Sequence, residues 1–500
     1  MTIEKTIPVQ ASLKLRSKRL VFTLVCSVLI VGWAKLALVQ YFGLWLSVIP
    51  VITASGVLAY YNPPVAIALF FSGNYLLGQL SIAHYPSLSV LTATGAITFG
   101  AALAKRWREG WVKSLWGDNR LARMGLLCIL SVWLLGLASS AFHAFTFHDF
   151  PQEGSSLFAL FNGGARGAND LFPLVAVGHW YLFIALGVLA VWEKREVRIF
   201  LLALSFSATL QLLAIPWPAY VEIFQNIYIS CYPMGLSYAN VNRSNVGYLF
   251  AAASAIALVY APNVRGYWKW GLYGWWVMAA WVTVLAGSKG PLLAWFLAMG
   301  LVAVLTRQQV RREALAALAV AVVAIASINF AFSNRVFPCG TVLQYQIAKH
   351  SVTTRLNNIA ESMRDDERDG NGEWFVGKGI GASTRSYDAL TRRVTTHSGT
   401  TNIFFDLLED VGILGLGLFL GGVLLLLLGF FRVYPIRDRA GGEALAVAAL
   451  LVILAIRLSV ATETYTEDFF ALVAGFLYGA AKFIGVSVKG RETQDNEAGP

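Results

Sequence analysis

The chain has 500 residues, of which 57% are apolar and only 13% charged, with a mean hydropathy of +0.60. Soluble domains carry about 25% charged residues, so a soluble enzyme, a disordered chain and a secreted disulfide scaffold are excluded. At about 20 residues per bilayer crossing, the apolar content suffices for about fourteen spans, and the formal charge of +11 must be read against topology before any anionic partner is inferred.

In chain order, residues 1–19 form a polar, basic N-terminus, followed by a long apolar stretch with no small-residue cleavage site, which predicts a retained first span. Apolar runs predict spans at 20–39, 44–61, 63–82, 87–104, 124–142, 172–192, 198–215, 244–261, 270–287, 290–306, 314–332, 411–431, 441–460 and 468–486. The expected fold class is therefore all-α: a polytopic transmembrane helical bundle of about fourteen spans, with twelve as the alternative. Its parts are a bundle over 20–332, a long external loop over 333–400 containing short helices, C-terminal spans over 401–486 and a polar tail over 487–500.

With both ends cytoplasmic, 25 of the 39 Lys and Arg residues fall in cytoplasmic segments, while the short external loops hold only Arg166, Arg243 and Lys289. The positive charge thus reflects orientation, and nucleic acid is not needed as a partner. Two basic residues, Lys35 and Arg457, fall inside spans. For Arg457, which has Glu463, Glu467 and Asp468 close behind it, an ion pair with Glu463 is expected.

Cysteine is sparse. Cys26 and Cys128 lie in spans, whereas Cys231 and Cys339 fall in external loops. A Cys231–Cys339 disulfide would tie the 216–242 loop to the long loop in an oxidising compartment; two separate thiols are the alternative.

The long loop and its neighbours hold the candidate chemistry. Thr353 to Glu367 reads as an amphipathic helix with Leu356, Ile359, Ala360 and Met363 on one stripe. Glycines at 377, 379 and 381 permit tight turns and close backbone approach to a ligand, or make a plain connector. His397 has the side chain best suited to a general base near neutral pH, set against a solvated loop histidine. Asp406, Glu409 and Asp410 suit the first turns of a helix that begins ahead of its membrane part. Arg243 and Lys289 each open a span at the external edge, where a planar guanidinium and a point-charge ammonium can hold a diphosphate or snorkel to headgroups. No metal-ligand spacing, nucleophile elbow or nucleotide-binding domain is present, so no cofactor is expected.

Taken together, Asn242-Arg243-Ser244-Asn245-Val246-Gly247 opening a span, Gly287-Ser288-Lys289-Gly290 between two spans, Arg355 leading a loop helix, Gly377-Lys378-Gly379-Ile380-Gly381, and His397 ahead of Asn402 and Gly412-Ile413-Leu414-Gly415 form a pattern. The pattern resembles the O-antigen ligase and O-antigen polymerase superfamily of bacterial inner-membrane glycosyltransferases, over roughly residues 216–431. The resemblance implies metal-independent glycan transfer from an undecaprenyl diphosphate donor at the periplasmic face. It would give Arg243 and Lys289 the diphosphate, Arg355 the donor or the loop, and His397 the acceptor proton. The acceptor would be a glycan or lipid A-core, and the surroundings membrane lipid. Two departures stand out: Thr401, not His, precedes Asn402, and Lys289 stands where the family commonly has Arg. The displaced histidine and the span count favour a polymerase over a ligase. A flippase for the lipid-linked glycan is the rival of another class, and would place its polar residues near the bilayer midplane.

Overall fold

The computed structural model describes residues 44–84, 90–110, 117–147, 172–214, 243–264, 266–285, 289–306, 373–377, 379, 385–388, 393–396, 403–436, 442–460 and 468–482, with a few isolated positions besides. Its body is all-helical. In chain order the helices are α1 (Leu44–Tyr61), α2 (Pro63–His84), α3 (Val90–Arg108), α4 (Arg120–Phe147), α5 (Phe172–Ala190), α6 (Lys194–Ala214) and α7 (Arg243–Tyr260). They continue with α8 (Tyr267–Leu285), α9 (Lys289–Leu305), the single turn α10 (Glu373–Val376), α11 (Ile403–Val433), α12 (Gly442–Val460) and α13 (Asp468–Ala481).

These segments are helical because each is an apolar run long enough to bury its own backbone polar groups within itself, bounded by charge or by a turn. Among the described residues, four helices are long and apolar enough to cross a membrane: Arg120–Ser140, Asn245–Asn263, Ile403–Val433 and Gly442–Ser459. Burial divides the helices into two kinds. All of α13 is buried, as is most of α7. By contrast, α11 buries only a third of its apolar window and turns Leu414, Leu420, Leu424 and Leu428 outward. An outward face as apolar as the core is a liability in water and a requirement in lipid.

Close crossings rest on small residues. Gly187 of α5 and Gly475 of α13 face each other so tightly that a Cβ on either would meet the other helix's backbone, the small-residue contact of membrane helix pairs. Buried hydroxyls join other pairs: Ser72 of α2 and Ser207 of α6 are 2.6 Å apart, and Ser205 of α6 donates to the Ala253 carbonyl of α7 at 2.9 Å. The Trp275 indole of α8 donates to Ser205 Oγ at 2.8 Å.

One end of the bundle is a polar, basic lattice. Arg106, 1% exposed, donates to the Leu189 carbonyl at 3.0 Å and pairs with Glu196 and Glu109, each at 2.9 Å. Asn119 donates to the carbonyls of Gly429 and Ala481, so one side chain ties α4 to the last turns of α11 and α13. Arg198 of α6 pairs with Glu443 of α12 at 2.8 Å and covers the Tyr260 ring. Tyr61, Trp107, Tyr267, Trp268 and Trp270 are exposed at this same end, as in the aromatic belts of membrane–water interfaces.

The long-loop region differs from expectation in one respect. Arg385–Asp388 (β1) and Arg393–Thr396 (β2) pair antiparallel, with Arg385 opposite Thr396 and Asp388 opposite Arg393. A short hairpin therefore stands just ahead of His397, where only short helices and turns are expected. The Thr353–Glu367 helix and the first span lie outside the described residues, apart from isolated positions of the latter.

Candidate functional site

Two of the expected cations stand at the first residues of helices that pack against each other and against α12. Arg243 is the first residue of α7 and Lys289 the first of α9. The Trp295 indole of α9 donates to Ser254 Oγ of α7 at 3.0 Å, so these helices run side by side. Trp295 lies six residues into α9 and Ser254 eleven into α7. At about 1.5 Å per residue, the start of α9 is thus about 7 Å deeper than the start of α7, level with residue 248.

The third helix, α12, runs antiparallel to α7 along its length. At the basic end, a Cβ on Gly442 would stand 3.2 Å from the Tyr260 ring. At the other end the Arg457 guanidinium lies over the Tyr248 ring, 5.3 Å from its centroid. Arg457 is 3% exposed, and Asn245 and Tyr248 are buried beside the opening of α7. A cation–π contact contributes about 0.5–2 kcal/mol, while an arginine at the centre of a membrane helix costs about 2.5–3.5 kcal/mol on insertion scales. A place near the helix end lowers that cost. The expected partner Glu463 lies outside the described residues.

A second polar feature lies where the long loop meets the bundle. α11 begins at Ile403, ahead of the expected apolar run, and is broken at Gly412, which adopts φ 67° and ψ −174°. The strand of chain after α10 seats in this break. The Gly379 amide donates to the Asp410 carbonyl at 2.9 Å, and the Gly377 carbonyl accepts from Ser139 Oγ of α4 at 2.7 Å. Gly377 and Gly379 have φ of 77° and 105°, a region open to glycine at little cost. The expected close backbone approach is therefore made to the protein's own chain at Asp410, Val411 and Ser140. Asp406 and Asp410, one turn apart, are each 2% exposed. Asp406 lies in the first turn of α11, as expected from the sequence, and both carboxylates are buried against the protein. Ordinary sequence signals miss this, although a glycine inside an otherwise unbroken apolar run is the warning of a break.

Of the other site residues read from the sequence, Arg355, His397, Cys231 and Cys339 lie outside the described residues, and of Arg243 and Lys289 only the helical backbone is described. Cys26 and Cys128 are free thiols. Among the described residues no group of three or more His, Cys, Asp or Glu side chains forms a metal-holding cluster. No protein-family model matches the chain, and no curated protein matches it.

Proposed function

We propose that the chain is a bacterial inner-membrane glycosyltransferase that polymerises undecaprenyl-diphosphate-linked oligosaccharide repeats into a surface polysaccharide. In this reading about fourteen spans cross the membrane, both termini and the basic lattice are cytoplasmic, and the site opens to the periplasm. His397 accepts the proton of the acceptor hydroxyl. Arg243 and Lys289 hold the diphosphate, and Arg355 supports the donor or the loop. The hydroxyl oxygen forms the new glycosidic bond as the sugar–phosphate bond breaks, and the diphosphate leaves with the electron pair. Negative charge thereby grows on phosphate oxygens, which fixed cations stabilise. No metal or cofactor has a role in these steps.

The observation that carries the reading is the pairing of α7 and α9, which sets the backbones of Arg243 and Lys289 at adjoining helix starts, away from the basic lattice. A transporter would instead concentrate such groups near the midplane. The test is the glycan profile of a strain lacking the gene. A polymerase defect leaves surface glycans capped with single repeats. Free lipid-linked polymer would make the protein a ligase onto lipid A-core or protein, and repeats trapped in the cytoplasmic leaflet would make it a flippase.

A further inference from the structure

We propose that the single turn α10 docks on the membrane, with Phe375 and Val376 seated among the phospholipid acyl chains of the leaflet remote from the basic lattice. The proposal stands on α4 and α11 crossing the bilayer and does not need the glycosyltransferase reading.

Two helices fix the level of α10. α4 and α11 lie antiparallel: a Cβ on Gly429 would meet Ala122, one on Gly422 would meet Ile129 and Cys128, and one on Gly415 would reach Leu135. The apolar length of α4 is 21 residues, Arg120–Ser140. In α11 the uncharged run from Val411 to Phe431 is equally long, with Asp410 ahead of it and Arg432 behind it. At about 1.5 Å per residue each spans about 31 Å, the thickness of the hydrocarbon core. The hydrocarbon edge remote from the lattice therefore lies near Ser140 on one helix and Val411 on the other. Between these ends the Gly377–Gly379 segment is pinned by its bonds with Ser139 and Asp410. α10 comes immediately before that segment, and the Phe375 carbonyl lies against Gly412, just inside the edge.

The exposure of this turn is the reverse of that of a loop in water. The backbone that follows it turns inward, where Gly377 and Gly379 are buried and bonded, while its apolar side chains stay outside. Phe375 is 60% exposed, and Val376 is exposed too. Ile413 and Leu414, directly after the Gly412 that Phe375 abuts, are also exposed. From there α11 carries no charge before Arg432 and turns Leu420, Leu424 and Leu428 outward, so the patch on α10 continues the face that α11 presents to lipid. Facing water, such a patch costs free energy in proportion to its apolar area; at this depth acyl chains cover it. A phenylalanine has no polar atom to keep at the headgroups, so its ring suits the acyl region, whereas Trp and Tyr suit the interface. Docking here holds the long loop, and the hairpin within it, against the leaflet surface.

The experiment replaces Phe375 with the photo-crosslinking analogue p-benzoylphenylalanine in the full-length protein in its native membranes, irradiates, and identifies the adducts by mass spectrometry. The same replacement at Leu424 is the lipid-facing reference, and at Phe250, which is wholly buried, the core reference. Phospholipid adducts at Phe375 should match those at Leu424 within about threefold and exceed those at Phe250 at least tenfold. The Val376 position should behave as Phe375 does, and decides the matter should the Phe375 variant fail to fold. Adducts confined to this chain's own peptides, to another protein or to a polyprenyl lipid would overturn the docking, as would an adduct-free Phe375 beside a labelled Leu424. No phospholipid adduct at Leu424 overturns the membrane crossing of α11, and the docking with it.

Discussion

Gly412 and Gly377 meet backbone to backbone: a side chain on Gly412 would begin within 2.6 Å of the Gly377 nitrogen. Both have positive φ. The long loop is thus keyed into a break in α11 by two residues that tolerate neither a Cβ nor the conformational strain it brings. We expect Gly412→Ala to destabilise the protein by about 2 kcal/mol or more, from strain and overpacking together. The check is the thermal melt of the purified variant. An unshifted melt would mean that the seat is loose.

The Arg106–Glu196 pair is the densest point of the basic lattice. Removing Glu196 leaves the buried Arg106 with the partly exposed Glu109 as its remaining ionic partner, and breaking a buried pair costs up to about 3–5 kcal/mol. Glu196→Gln should therefore lower the yield of folded protein and its melting temperature. The double variant Arg106→Met with Glu196→Leu should recover most of the loss, because well-packed apolar residues replace buried ion pairs at little cost. No recovery in the double variant would show that the other contacts of the two side chains, Arg106 with the Leu189 carbonyl and Glu109, and Glu196 with the Trp192 and Glu193 amides, matter more than the pair itself.

Where α5 crosses α13, Gly475→Val places two methyl groups into the backbone of Ile184 and Val188. Overpacking of this kind costs about 1–3 kcal/mol or more. A lowered melting temperature is expected, with Gly178→Val as the control, since a Cβ there meets open space.

For chemistry, His397→Ala should abolish polymer while the protein still inserts at normal abundance. Lys289→Ala should weaken donor use, seen as a raised KM for the lipid-linked repeat with a smaller change in kcat. Normal polymer from the first variant removes His397 as the base. An unchanged KM in the second returns Lys289 to headgroup contact.

Much of the bundle was legible because membrane helices announce themselves by length and apolarity. The run 44–61 coincides with α1, and 442–460 is one residue short of the expected 441–460. What could not be read is what depends on distant partners. Arg106 looks like one more orienting charge, yet its counter-ion Glu196 is 90 residues away. Asp406 and Asp410 read as acids in the first turns of a helix and are buried, Asp410 beside the Gly377–Gly379 segment that follows α10. The hairpin 385–396 has strands of four residues each, too short for a period to register. At the candidate site, Arg243 and Lys289 were legible singly, as rare external cations. The placement of Arg457 on Tyr248 was not, since 209 residues separate them.

Polymerisation of lipid-linked repeats at the outer face is decided by the glycan profile of the deletion strain. Surface glycans capped with a single repeat are expected, restored to long chains by the wild-type gene and not by the His397→Ala gene. Long polymer of wild-type length in the deletion strain would contradict it.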